Sequence, residues 1–241
     1  MRLDRFLCEM NLGSRSQVKN FLKQGLVTVN GIPTAEPDMK IDENSDQVSF
    51  QGRVLDYRKY VYYMLNKPVG VVSAVTDNTA DTVVSLLKEE GRKDLFPAGR
   101  LDKDTTGLLL LTNDGELVHR LLSPRRHVDK IYQVTLEHPL KASDLSALET
   151  GIRIGEERPT LPAKVTVLGE NRILLTLHEG RFHQVKRMML ALGNGVRTLR
   201  RISFGGLQLD ERLKEGEYRE LTPSEIQMLK EAAGLQTGAD V

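Results

Sequence analysis

The chain has 241 residues, of which 39% are hydrophobic and 28% charged, a balance that predicts a packed, soluble protein and argues against a disordered or fibrous one. No apolar run approaches the roughly 20 residues needed to span a bilayer, and Met1-Arg2-Leu3-Asp4-Arg5 opens no signal-peptide core. The single cysteine, Cys8, closes no internal disulfide, which suits a cytoplasmic protein with no membrane partner.

Leu3, Phe6, Leu7 and Met10 recur at helical spacing up to Gly13, which predicts a first short helix. Ser14 and Gln17 have the spacing of a capping box, and Val18, Phe21 and Leu22 form the apolar stripe of a second helix that Gly25 stops. Leu26 to Val29 then reads as a strand closed by Asn30-Gly31, a dipeptide that tolerates the positive φ of a tight hairpin. Val48 to Phe50, the Gln51-Gly52 turn and Val54-Leu55 predict another small hairpin, and the unit ends near Tyr57. Arg58-Lys59 is the expected linker between domains 1–57 and 60–241.

The second part opens with β-rich Tyr60 to Leu65. Further strands are expected at Val69 to Ser73, Leu108 to Thr112, Tyr132 to Leu136, Lys164 to Leu168, Ile173 to Leu177 and Val196 to Leu199. Helices are expected at Val83 to Glu89, Glu116 to Leu122, Ser143 to Thr150 and Phe182 to Leu192, the last with Phe182, Val185, Met189 and Leu192 facing the core. Thr222-Pro223-Ser224-Glu225 starts a final capped helix, and the tail from about 235 should be loose. Strands and helices do not alternate strictly, so the fold class is α+β on a mixed, largely antiparallel sheet.

Net charge is only +1, from 34 basic and 33 acidic residues, but the sum hides segregation. Arg181, Lys186, Arg187, Arg197, Arg200 and Arg201 form a stretch without Asp or Glu, a candidate phosphate-facing stripe. The first 31 residues carry Arg2, Arg5, Arg15, Lys19 and Lys23 against Asp4 and Glu9, a second basic patch. Ordinary solvated faces would look the same in sequence.

Gly99 to Gly107 places Arg100, Asp102, Lys103 and Asp104 at the edge of an apolar strand, a favoured setting for chemistry. Asp102, Asp104 and Gly107 match positions 1, 3 and 6 of a calcium-binding loop, but Thr106 at position 5 and Asn113 at position 12 do not. On spacing alone the two carboxylates can equally be hydrogen-bonding a turn. Around Gly180 to Met188 basic and apolar residues interleave, so Arg181 or Lys186 can pair with a carboxylate and hold it ionised. Alone, His183 reads as a hydrogen-bonded structural histidine, and His119, His127, His138 and His178 belong to no metal or triad pattern.

Gly99-Arg100-Leu101-Asp102, Leu111 to Gly115, Ser123-Pro124-Arg125-Arg126-His127, Lys130-Ile131-Tyr132 and Gly180 to Met188 occur in an order that resembles the RsuA-type ribosomal small-subunit pseudouridine synthases. The likeness runs from about Tyr60 to Glu220, with Asn66-Lys67-Pro68 at its start and Gly216 to Arg219 near its end. Arg2-Leu3-Asp4, Ser14-Arg15 and Val29-Asn30-Gly31 make the first 57 residues similar to the S-four-like RNA-binding module of a ribosomal protein.

The resemblance implies a pseudouridine-synthase fold with flanking helices and a central cleft, behind a small N-terminal α/β RNA-binding domain. It implies Asp102, Tyr132 and Lys186 as catalytic, with Arg100, Leu101, Lys67, Arg181, His183 and Arg187 around the substrate. Arg2, Arg5, Ser14, Arg15, Lys19, Lys23 and Asn30 would meet RNA. The reaction is an isomerisation without net redox change, so neither cofactor nor metal is expected. The implied partner is ribosomal RNA, most specifically uridine 516 of 16S rRNA, free or within an assembling subunit, met by a monomer. Sister enzymes acting on 23S rRNA share the same motifs. A non-catalytic assembly factor is the alternative from another class, while a glycosidase pairing Asp102 with Asp104 on one short loop would leave the basic stripes without purpose.

Overall fold

A computed structural model describes residues 1–235 except Asn44, Gly91 and Lys93, so the expected loose tail lies outside the described residues. The chain divides into one unit of Met1–Tyr60 with Lys88–Asp94 and another of Val61–Leu87 with Leu95–Val241.

The first unit contains α1 (Leu3–Glu9), α2 (Arg15–Lys23), β1 (Val27–Val29), β2 (Ile32–Pro33), β3 (Val48–Phe50) and β4 (Arg53–Val54). Ser14 caps α2, and both halves of the capping box with Gln17 are present. The four strands pair antiparallel in the order β2-β1-β3-β4. Both hairpins turn on two successive positive-φ residues, Asn30 (51°) with Gly31 (80°) and Gln51 (50°) with Gly52 (79°), the geometry that follows the right-handed strand twist. Leu3, Phe6, Leu7, Val18, Leu22 and Val27 fill the core.

The second unit contains β5 (Tyr62–Lys67), β6 (Phe96–Pro97), β7 (Thr106–Thr112), α3 (Gly115–Leu122), β8 (Lys130–Leu136), α4 (Ala142–Thr150), β9 (Lys164–Gly169), β10 (Arg172–Leu177), α5 (Gln184–Ala191), β11 (Val196–Phe204), β12 (Leu207–Gln208), β13 (Tyr218–Glu220) and α6 (Pro223–Ala232). Its sheet runs β13-β5-β7-β11-β8-β10-β9, with β12 beside β11 and β6 beside β7. Among the described strands of this sheet only β7 and β11 pair parallel; the other strand pairings are antiparallel. Leu109 and Leu111 of β7 enter one core while Leu108 and Leu110 enter the other. A central strand covered on both faces reads as an unbroken apolar run.

Three expectations change. Val69 to Ser73 is not a strand, since Val72 makes only an isolated bridge to Thr82; Pro68 withholds a donor and Gly70 adopts φ 88°. Val84–Glu90 is a 3-10 segment interrupted at Leu87, where the Thr82 and Ser85 side chains hydrogen-bond the backbone and favour a tight turn. β11 continues past Leu199 to Phe204 because its neighbours β7 and β8 supply ladders on both sides.

Candidate active site

Asp102 sits on the loop between β6 and β7, and that loop is held from three sides. The Ser73 hydroxyl donates to the Leu101 carbonyl at 2.9 Å and accepts from its N–H at 3.0 Å. The Lys67 ammonium, fully buried at the end of β5, donates to the carbonyls of Pro68 at 3.0 Å and Thr105 at 2.9 Å. Gly107 lies so close to β11 that a Cβ there would overlap the Arg201 carbonyl oxygen. The Asp102 carboxylate is therefore carried on fixed backbone.

It faces the start of α5. His183 takes the left-handed conformation at φ 49°, so the helix begins only at Gln184. Gln184 pins that entry by accepting from the Arg181 N–H at 2.9 Å and donating to Glu179 at 2.7 Å. One turn in, Lys186 Nζ reaches Asp102 Oδ2 at 3.2 Å and Asp104 Oδ1 at 2.5 Å. Burial works to lower the Lys186 pKa, but the hydrogen bonds to Asp104 and Asp102 outweigh it and the net shift is upward. The same hydrogen bond holds the Asp104 carboxyl below its ordinary value. His183 Nε2 stands 3.7 Å from Asp102 Oδ1.

Beside the carboxylate opens a cleft of about 660 Å³ lined by Arg100, Leu101, Tyr132, Phe182 and His183, with Lys130 and Arg201 at its wall. Tyr132 is 9% exposed, and alternation along β8 places it on the same face as Lys130. Arg201 pairs across the ladder with Tyr132. Its Nε donates to the Leu108 carbonyl at 2.8 Å, while its buried Nη2 has no hydrogen-bond partner. Lys130 donates to the Val128 carbonyl at 3.2 Å, and burial, reinforced by the Arg201 charge, pushes its pKa down to about 8. A carboxylate countered by a lysine, a mostly buried aromatic ring and two buried cations suit a planar, oxygen-rich ligand that develops negative charge.

Residues 61–191 match the RNA pseudouridylate synthase family, and residues 1–47 match the S4 domain. The chain is an RNA pseudouridylate synthase by family. It is 48% identical over 236 residues to an uncharacterized RNA pseudouridine synthase of Bacillus subtilis, covering 96% of this chain and 99% of that one. It is 44% identical over 227 residues to ribosomal small subunit pseudouridine synthase A of Vibrio cholerae, with 94% and 98% covered. A crystal structure of a pseudouridylate synthase, 42% identical, aligns over 95% of this chain and 99% of that chain with a TM-score of 0.68. The resemblance read from the motifs and the α+β class are thereby borne out.

In this synthase Asp102, Tyr132, Lys186, Arg100, Leu101, Arg181 and His183 come together, although Lys186 divides its charge between two aspartates. Lys67 does not reach the cleft, because its ammonium is spent on loop carbonyls. Arg181 is bound to Glu179, Glu156, Arg158 and Pro159, and Arg187 to Glu156, Phe182 and Ile154. Both guanidiniums thus anchor the 154–159 loop. Arg201 is buried, so with Arg181 and Arg187 held by Glu156 the expected phosphate-facing stripe contracts to Arg197 and Arg200. Phe182, expected in the core, is 75% exposed.

In the first unit Ser14 is spent as a helix cap, and Asn30 holds its hairpin by donating to Asp46 at 2.8 Å and accepting from the Gln47 N–H at 2.9 Å. Arg2 pairs with Asp4 and Arg5 with Glu9. Arg15, Lys19 and Lys23 are exposed at successive i, i+4 positions, one stripe along α2. The sequence reading did not place Ser73, Lys130 or Arg201 at the cleft, although Arg201 stood in the basic stripe and Lys130 in a quoted motif. For Lys130 the signal was its two-residue spacing from Tyr132; for Arg201 the basic stripe marked the residue but not its burial. Among the described residues no three His, Cys, Asp or Glu side chains could hold a metal, and no helix is long and apolar enough to cross a membrane.

Proposed function

We propose that this synthase converts a uridine of ribosomal RNA, uridine 516 of 16S rRNA, into pseudouridine, and that Asp102 acts on the reacting nucleotide. The observation that carries this reading is the fixed Asp102 carboxylate, countered by Lys186 and set in one cleft with Tyr132. The small-subunit reading draws on relatives such as the Vibrio cholerae enzyme, whose name specifies that subunit.

Isomerisation breaks the bond from the ribose C1′ to N1, turns the uracil, and rejoins C1′ to C5, while the C5 proton is released and N1 gains one. Attack on C1′, addition to the ring and a glycal route all need an ionised carboxylate close to the nucleotide. Asp102 supplies the carboxylate, and Lys186 orients it. Tyr132 offers its ring to the uracil, and exposed Arg100 stands at the mouth to meet phosphate or assist extrusion of the base. His183 stands against the carboxylate as a substrate contact, and Leu101 forms an apolar wall. The Arg15, Lys19 and Lys23 stripe, with Arg2 and Arg5, serves backbone phosphates in a monomer that docks on folded or assembling RNA by charge and shape.

Pseudouridine mapping across rRNA from cells with and without the chain tests the reading. Loss at uridine 516 of 16S rRNA alone is expected. Loss at a 23S uridine would overturn the target, and no loss anywhere would leave a non-catalytic assembly factor.

A further inference from the structure

Phe182 is the most exposed aromatic side chain among the described residues, at 75%. The left-handed turn at His183 takes it off α5 and leaves it on the rim of the cleft. Its ring stacks on the His183 imidazole with centroids 3.7 Å apart and planes 21° from parallel, so one face is covered and the other is open. The imidazole in turn lies against Asp102. Two stacked rings thus lead from solvent to the carboxylate, with exposed Arg100 and Lys103 lining the same opening.

An open aromatic face costs hydrophobic surface unless something covers it in the working complex. Cationic surroundings favour a nucleobase over an apolar protein surface. Extruding a nucleotide strips its neighbour of a stacking partner, and a ring at the mouth can replace that partner. Resting on the reading of this chain as an RNA isomerase, we propose that the outer face of Phe182 is the stacking platform for the base adjoining the target uridine. The target enters the cleft toward Tyr132 while its neighbour remains stacked outside.

The chain contains no tryptophan, so Phe182→Trp introduces its sole indole at the platform and keeps an aromatic face. Titration with a 16S rRNA transcript should quench that emission, whereas heparin, a polyanion without bases, should not. Phe182→Ala should raise KM by about 5- to 150-fold, the worth of one stacked base, with a smaller fall in kcat; Phe182→Trp should restore KM to within a few-fold of wild type.

Transcript binding without quenching, equal quenching by heparin, or an unchanged KM in Phe182→Ala would each overturn the platform. So would a Phe182→Ala chain that binds transcript normally but no longer binds small ribosomal subunits, since that outcome assigns the ring to a protein surface. Tritium release by the wild-type chain on the same transcript separates the two readings. Release without quenching sinks only the platform, whereas absence of release both on the transcript and on an assembling small subunit sinks the rRNA reading and the platform with it.

Discussion

Lys130 and Arg201 both lie over the Phe204 ring, at 5.6 and 5.0 Å from its centroid, and neither makes an ion pair among the described residues. Two buried like charges without an anion are unfavourable, and the Lys130 pKa of about 8 records part of that cost. The charged groups acting on Lys130 are Arg201, which lowers its pKa, and Asp129 and Glu179, which raise it. Between about pH 8 and the ordinary lysine value of 10.5 the unfolded chain keeps a proton that the folded chain has shed, so this group makes stability rise with pH across that window. Lys130→Met should therefore be the more stable chain at pH 7, and denaturation curves should show its advantage shrinking by on the order of 3 kcal/mol as pH rises through the window. A gap that does not vary with pH would contradict the buried ammonium. Lys186 carries the opposite logic, since its charge is countered twice. Lys186→Met should lower kcat by about 100-fold, and Lys186→Arg should recover part of it by restoring charge in a different fork; equal rates in all three chains would remove Lys186 from the chemistry.

The loop carrying Asp102 depends on the close approach of β7 to β11, where Gly107 adopts φ 99° beside the Arg201 carbonyl. Gly107→Ala should destabilise the chain by about 2 kcal/mol or more in urea denaturation, and its activity should fall because Asp102 moves with the loop. Unaltered stability would mean that the strands can part without penalty. Local signals made most elements legible. The capping boxes at Ser14 and Thr222, the Asn30-Gly31 and Gln51-Gly52 turns and the double-faced strand Thr106–Thr112 need only neighbouring residues. β6, β12 and β13, two or three residues long, were too short for a periodic signal. β11 was cut short in sequence because Arg200-Arg201 breaks its apolar run, and the burial of Arg201 depends on cross-strand partners. The site divides the same way. That Arg181 or Lys186 could counter a carboxylate was legible in the interleaved basic residues, whereas the capture of Arg181 and Arg187 by Glu156, 25 and 31 residues away, leaves no local trace.

The molecule joins a family-typed catalytic unit to an S4 unit that exposes the Arg15, Lys19 and Lys23 stripe. Replacing those three with alanine should weaken binding to a 16S transcript and reduce the slope of log affinity against log salt by about 2 to 3; an unchanged slope would take the stripe out of phosphate contact. The proposed reaction rests on Asp102, and that residue offers the most direct test. In release of tritium from carbon-5-labelled uridine in 16S rRNA, the wild-type chain should turn over, and folded Asp102→Asn should lose at least about 1000-fold in rate while still binding the RNA. Release persisting in Asp102→Asn would contradict the mechanism.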